Sequence, residues 1–154
     1  MKKAILPLLL VMLLFVSIGC SNKSGARMGL FSATAPVIAI LADDLFTGKA
    51  VGYIGRTGTI EVTSVLDPDI ICIGQFRYTA AKSGTGQIRC NDGNVAEFDF
   101  KGLSALSGYG FGTSTRGAIS FTFGLTPDDA KKYLKLPKGK KIVEKEGSLR
   151  LQGI

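Results

Sequence analysis

The chain has no histidine and no tryptophan, and it carries only three cysteines and five prolines. Without histidine it lacks the commonest general base and the commonest zinc ligand. A Ser-His-Asp triad is therefore excluded. No Ser-x-x-Lys motif replaces it, and Ser104, in Gly102-Leu103-Ser104-Ala105-Leu106, lacks the second glycine of a nucleophile elbow. No Cys-x-x-Cys pair is present, so a dithiol redox centre has no sequence support. Neither a cofactor nor a metal is expected, and the balance points to a protein that is not an enzyme. Twenty glycines stand among β-branched and aromatic residues, a composition that suits strands, turns and bulges.

The first twenty residues read as an address. Lys2 and Lys3 make a positive start, residues 4–16 are apolar, and Ser17 and Gly19 place small side chains at positions −3 and −1 before Cys20. The apolar run falls short of the roughly 20 residues that span a bilayer. Polar Ser21, Asn22 and Lys23 follow. This pattern resembles the bacterial lipoprotein class through Gly19 and Cys20, with Ser17 in place of the usual leucine. The resemblance covers residues 1–20. It implies cleavage before Cys20 and a diacylglycerol (palmitate-bearing) group on its thiol, with more than one acyl chain for stable attachment. Ser21 resembles the class members sorted to the outer membrane. The expected organisation is a signal peptide at 1–19, the lipidated cysteine and a flexible tether at 20–29, and one β-rich domain at 30–154.

Within that domain the fold class is all-β, mainly an antiparallel meander forming a sheet or small barrel, with one short α-helix near residues 127–134. Residues 36–42 are continuously apolar and fit a buried strand or a short helix; Val37, Ile38 and Ile40 favour the strand. Asp43 and Asp44 mark a solvated turn. Two strands, 49–54 and 59–65, flank a turn at 55–58, and the second alternates, with Ile60, Val62 and Ser64 on one face. A hairpin of residues 70–79 and 86–90, symmetric about residue 81, places Cys72 opposite Cys90 and Phe76 opposite Gly86. In an oxidising compartment Cys72 and Cys90 are expected to form a disulfide. Residues 95–100 follow, with Ala96, Phe98 and Phe100 inward and Glu97 and Asp99 outward. A weak repeat relates Ser83-Gly84-Thr85-Gly86 to Ser107-Gly108-Tyr109-Gly110, and Phe98-Asp99-Phe100 to Phe121-Thr122-Phe123. Thr126 is a suitable N-cap, with Pro127, Asp128 and Asp129 in the first turn. Ala130, Tyr133 and Leu134 share the docking face, and a last hairpin turns at Glu146 and Gly147.

Three surfaces are candidates for contact. Residues 108–116 read as a binding loop carrying Tyr109, Phe111 and Arg116, suited to a glycan or protein partner. Lys131, Lys132, Lys135, Lys138, Lys140 and Lys141 form a basic stretch that suits anionic headgroups or glycans. Asp92, Glu97 and Asp99 are the carboxylates on which a glycan hydrolase would rest. With 19 basic and 12 acidic residues the chain is positive. Nucleic acid is not an expected partner of an exported chain without a recognition motif. The expectation is a membrane-anchored envelope lipoprotein acting as a structural or binding module, in contact with an anionic glycan, a lipid or another envelope protein. Two alternatives stand beside it: a carboxylate-dependent enzyme on envelope glycans, and a carrier of a small apolar ligand inside a barrel.

Overall fold

The computed structural model describes residues 25–154. A two-residue strand β1 (Arg27–Met28) precedes eight long ones: β2 (Ser32–Leu41), β3 (Asp44–Tyr53), β4 (Thr57–Ser64), β5 (Ile71–Tyr78), β6 (Ser83–Cys90), β7 (Val95–Gly102), β8 (Gly108–Ser114) and β9 (Gly117–Phe123). Each pairs antiparallel with the next, and β9 pairs back to β2, so β2–β9 close into a barrel. Closure removes the free sheet edges that would otherwise invite aggregation. Arg27 and Met28, expected in the tether, pair with Thr34 and Ala33.

The register fixes the barrel's width. Ala33 pairs with Gly52, and the pairing continues through Gly58, Phe76, Gly86, Phe98, Gly112 and Ile119. Ile119 pairs with Leu41, eight residues along β2 from the start. Eight strands with this stagger leave an interior only wide enough for side chains. The circuit also explains the repeat. Rings and glycines alternate across β4–β9, so the inward Phe76, Phe98, Phe100, Phe121 and Phe123 each lie over a neighbour with no side chain. A Cβ on Gly86 would stand 2.4 Å from the Phe98 ring, and one on Gly110 2.4 Å from the Phe121 ring. The glycines of β6 and β8 thus make room for the phenylalanines of β7 and β9.

The interior core holds Val37, Ala39, Leu41, Ile60, Val62, Ile88, Phe98, Phe100 and Phe121, among others. The hairpin symmetry about residue 81 is observed: Cys72 faces Cys90 and Phe76 faces Gly86. Cys72 and Cys90 form a disulfide within this core, with Cα atoms 3.8 Å apart. Closing a loop of this length stabilises a fold by about 3 kcal/mol on the chain-entropy model.

A second, smaller core lies outside the barrel. Ile38, Ile40 and Leu45 point outward and are covered by Ala130, Leu134 and Ile142. This is why residues 36–42 are apolar without alternation: β2 is buried on both faces. The cover consists of α1 (Pro127–Ala130) and the hairpin β10 (Lys140–Lys145) and β11 (Ser148–Gly153). Thr126 caps α1 by accepting from the Asp129 N–H. The helix is shorter than the 127–134 expected. Lys132 and Tyr133 donate to the carbonyls three residues back, and this tighter winding ends the α geometry. The docking face survives, because Leu134 still lands on β2. Among the described residues, all strand pairings and both cores fall within residues 27–154.

Candidate functional site

On β4–β8 the alternation sends the even-numbered residues inward and leaves a largely polar set outward. Register aligns these outward residues in two rows across β4–β8. One row runs Thr59, Gln75, Gln87, Glu97, Thr113; the other runs Thr57, Arg77, Thr85, Asp99, Phe111. Inward glycines let the wall bend here. The result is an open groove of about 890 Å³, reaching from Tyr53 to Thr113. Its side chains offer hydroxyls, amides, one guanidinium and two carboxylates. Such a set can donate to and accept from a polar ligand at several points, on a wall held rigid by closure.

Glu97 and Asp99 line this groove. Two residues apart on one antiparallel strand, their Cα atoms are separated by about 7 Å. General acid catalysis needs a carboxyl taken out of water, and both of these are exposed. They also stand side by side on one strand, rather than facing each other across a bound sugar.

The third expected carboxylate, Asp92, lies in the turn after β6, away from the groove, and is bound to Arg116 at 2.5 Å. Its carboxylate also accepts from the Asn94 N–H at 3.0 Å. That backbone bond is the leading reason its pKa lies below the usual value; burial opposes it, and Arg116 adds to it. Arg116 therefore serves to tie the β6–β7 turn to the β8–β9 turn. Residues 108–116 are not a loop as expected, because Gly108–Ser114 is strand β8. Gly108 and Gly110 face inward under the Phe123 and Phe121 rings, Gly112 lies against the β7 backbone, and none of the three makes a turn. Tyr109 stacks on Tyr133 at 4.5 Å, and Phe111 lies 4.8 Å from the Lys135 ammonium, so both are half-covered by the segment after α1.

The lysine stretch is divided by its surroundings. Lys131 pairs with Asp128 and Lys132 with Asp129, each at 2.8 Å. Hydrogen bonding from Lys132, then from Thr126, keeps the Asp129 carboxyl below its ordinary range. Lys135 lies over Phe111. Lys138, Lys140 and Lys141 are exposed. Cys20 and the leader lie outside the described residues.

The barrel interior has little room for a guest. Phe98 and Phe121 meet edge to face at 4.9 Å, and Phe100 contacts Tyr78, Phe76 and Phe123 in the same way. The cavity left among them is about 30 Å³, against roughly 300 Å³ or more for a small-molecule site. Reasoning from sequence missed the groove because Gln75, Gln87 and the threonines are individually ordinary. Only the register that aligns them on adjacent strands marks them out. No known family model, no curated protein and no solved structure matches the chain.

Proposed function

We propose that this protein is a membrane-anchored envelope lipoprotein whose barrel is a non-catalytic binding module, with the β4–β8 groove as its binding face for an envelope glycan. The leader and Cys20 support the address. The observation that carries the binding role is the two-row grid of Thr, Gln, Arg, Glu and Asp side chains on a closed wall. Flexible ligands bind best to surfaces already held in place, and hydroxyl-rich sugars match a lining of amides and hydroxyls.

The address is tested by metabolic labelling with palmitate. Label is expected on the full chain and absent from Cys20→Ser. The binding role is tested by titrating the lipoprotein with an N-acetylglucosamine oligosaccharide and with a lipopolysaccharide core oligosaccharide, following backbone amide shifts. Shifts are expected at Gln75, Gln87 and Thr113, and Gln75→Ala with Gln87→Ala is expected to weaken binding about tenfold. Shifts confined to other faces would remove the groove from the proposal. Appearance of cleaved sugar, abolished in Glu97→Gln, would replace binding by hydrolysis.

A further inference from the structure

The two ends of the barrel differ in chemistry. One end carries residues 25–31 and the turns after β3, β5 and β7; it is the end from which the N-terminal segment leaves. The other carries the turns after β2, β4, β6 and β8. At the tether end, Met28, Leu30, Phe31, Tyr53, Ile54 and Leu103 are exposed. Leu30 is 85% exposed, Ile54 72% and Phe31 67%. Ser32 pairs with Tyr53, which brings Leu30 and Phe31 beside the β3–β4 turn. Large exposed apolar side chains gathered at one place mark a contact surface.

Charge is segregated along the same axis. Arg27, Arg56, Lys82 and Lys101 lie on the same segments as the apolar residues, and residues 25–31, 54–56, 79–82 and 101–107 contain no acid. The segment after β9, which leaves from this end, carries Asp128 and Asp129, each already paired with a lysine, Lys131 and Lys132. The opposite end has Asp43, Asp44, Asp67, Asp69 and Asp92, against Arg89 and an Arg116 already paired with Asp92. Leu66 is exposed there, but next to Asp67. The tether-end turns are also bonded to one another. The Arg56 guanidinium donates to the Ala80 carbonyl at 2.5 Å, and the Gly102 N–H donates to the Lys82 carbonyl at 2.6 Å. They form one rim, not separate loops.

We propose that this rim docks on an anionic phospholipid bilayer, with Leu30, Phe31 and Ile54 entering the interface and Arg56, Lys82 and Lys101 meeting the headgroups. Apolar residues ringed by basic ones match that surface, whose apolar layer lies beneath negative charge. The acidic end is then turned away from the lipid. The inference deepens the anchored-lipoprotein reading. Cys20 precedes Gly25 by five residues, and an extended chain covers at most about 3.6 Å per residue. Acyl chains on Cys20 would therefore hold this end within about 18 Å of the bilayer.

The test uses the chain from Ser21 onward, which contains every described strand and both cores but no lipid, and whose β-sheet circular dichroism is recorded first to show that it folds. It is sedimented with vesicles of phosphatidylcholine and with vesicles containing phosphatidylglycerol. Binding is expected only to the second, and it should fall with salt. Phe31→Ser combined with Ile54→Ser should lower it about tenfold, and Lys82→Gln or Lys101→Gln about fivefold each. Lys138→Gln, Lys140→Gln and Lys141→Gln should leave it unchanged. Circular dichroism checks that every variant is folded. No binding to anionic vesicles, or binding abolished by the Lys138, Lys140 and Lys141 changes while the rim variants bind as the parent does, overturns the proposal. Failure here leaves the palmitate result untouched, because this chain carries no lipid; an unlabelled Cys20 would equally leave the rim measurement standing.

Discussion

The barrel's interior and the covered flank of β2 are both buried, but they are built in different ways. Inside, the rings of Phe76, Phe98, Phe100, Phe121 and Phe123 are each matched to a glycine on an adjacent strand, and the match is repeated across β4–β9 of the closed barrel. On the flank, Ile38, Ile40 and Leu45 meet a short helix and a hairpin that come from the C-terminal segment. The interior is therefore cooperative by construction, since no strand can shift without moving its two neighbours. The flank is a cover on a barrel already closed. Damage inside should unfold the whole domain, and damage on the flank should loosen the cover alone.

The largest expected effect tests the first half of that contrast. Gly86→Ala places a Cβ 2.4 Å from the Phe98 ring and 2.7 Å from the Gln75 carbonyl oxygen. Ring and backbone must both move in a packed interior, and the cost is expected at about 3 kcal/mol or more, toward the upper end for overpacking. Gly147→Ala is the control: its φ is +74°, with no atom within 4 Å of the added Cβ. It should cost about 1 kcal/mol through backbone strain. Urea denaturation of both variants checks the ranking. Equal losses would show that steric matching to the rings is not what holds the interior.

Next in size is the flank. Ile142 is 2% exposed, under the cover. Ile142→Ala should cost about 2–4 kcal/mol locally. Amide exchange should accelerate across β10 and β11 while β5, β6 and β7 keep their protection. Uniform acceleration would mean that the barrel depends on its cover.

The same contrast decides what could be read from the sequence. Alternation on β4 and β7, the Cys72–Cys90 pairing and the Phe76–Gly86 pairing are all local to a strand or a hairpin, and all were legible. Closure by β9 on β2 joins residues 78 to 86 positions apart, and nothing near Ile119 or Leu41 announces it. From sequence, Gly108, Gly110 and Gly112 suggest turns, and residues 108–116 read as a loop where the structure has β8. The reason for these glycines is the space that the Phe123 and Phe121 rings require over Gly108 and Gly110, and the close approach of the β7 backbone at Gly112, both visible only once the strands are paired. The groove was missed for a related cause: it is a property of register across five strands, whereas each residue alone looks like ordinary solvated surface.

A smaller effect should run in the opposite direction. Thr122 is 1% exposed, and its hydroxyl oxygen has no hydrogen-bond partner among the described residues. It points outward on β9, paired with Ile38 and Tyr109. An unpaired buried hydroxyl is costly, and valine has the same shape without it. Thr122→Val should raise stability by about 1 kcal/mol. A loss of stability would mean that the hydroxyl is hydrated through the cover, and so that the flank is more open than the interior.

The smallest effect concerns the acidic end, where neither core is involved. The Asp92 carboxyl is held below its ordinary pKa, first by the Asn94 N–H and then by Arg116, against an opposing contribution from burial. A group whose folded pKa is depressed stabilises the fold when ionised. Its contribution is present above the unfolded value and disappears as pH falls through the folded one. Stability should therefore fall on acidification below about pH 4, and Asp92→Asn should flatten that part of the profile. Arg116→Ala should flatten it less, because the Asn94 bond remains. The Arg116 side chain is 52% exposed, so its share is expected to stay below about 1 kcal/mol. Denaturation midpoints measured from neutral to acid pH compare the two variants. If Arg116→Ala removed the acid dependence as fully as Asp92→Asn, the ion pair and not the turn would be what secures this end of the barrel.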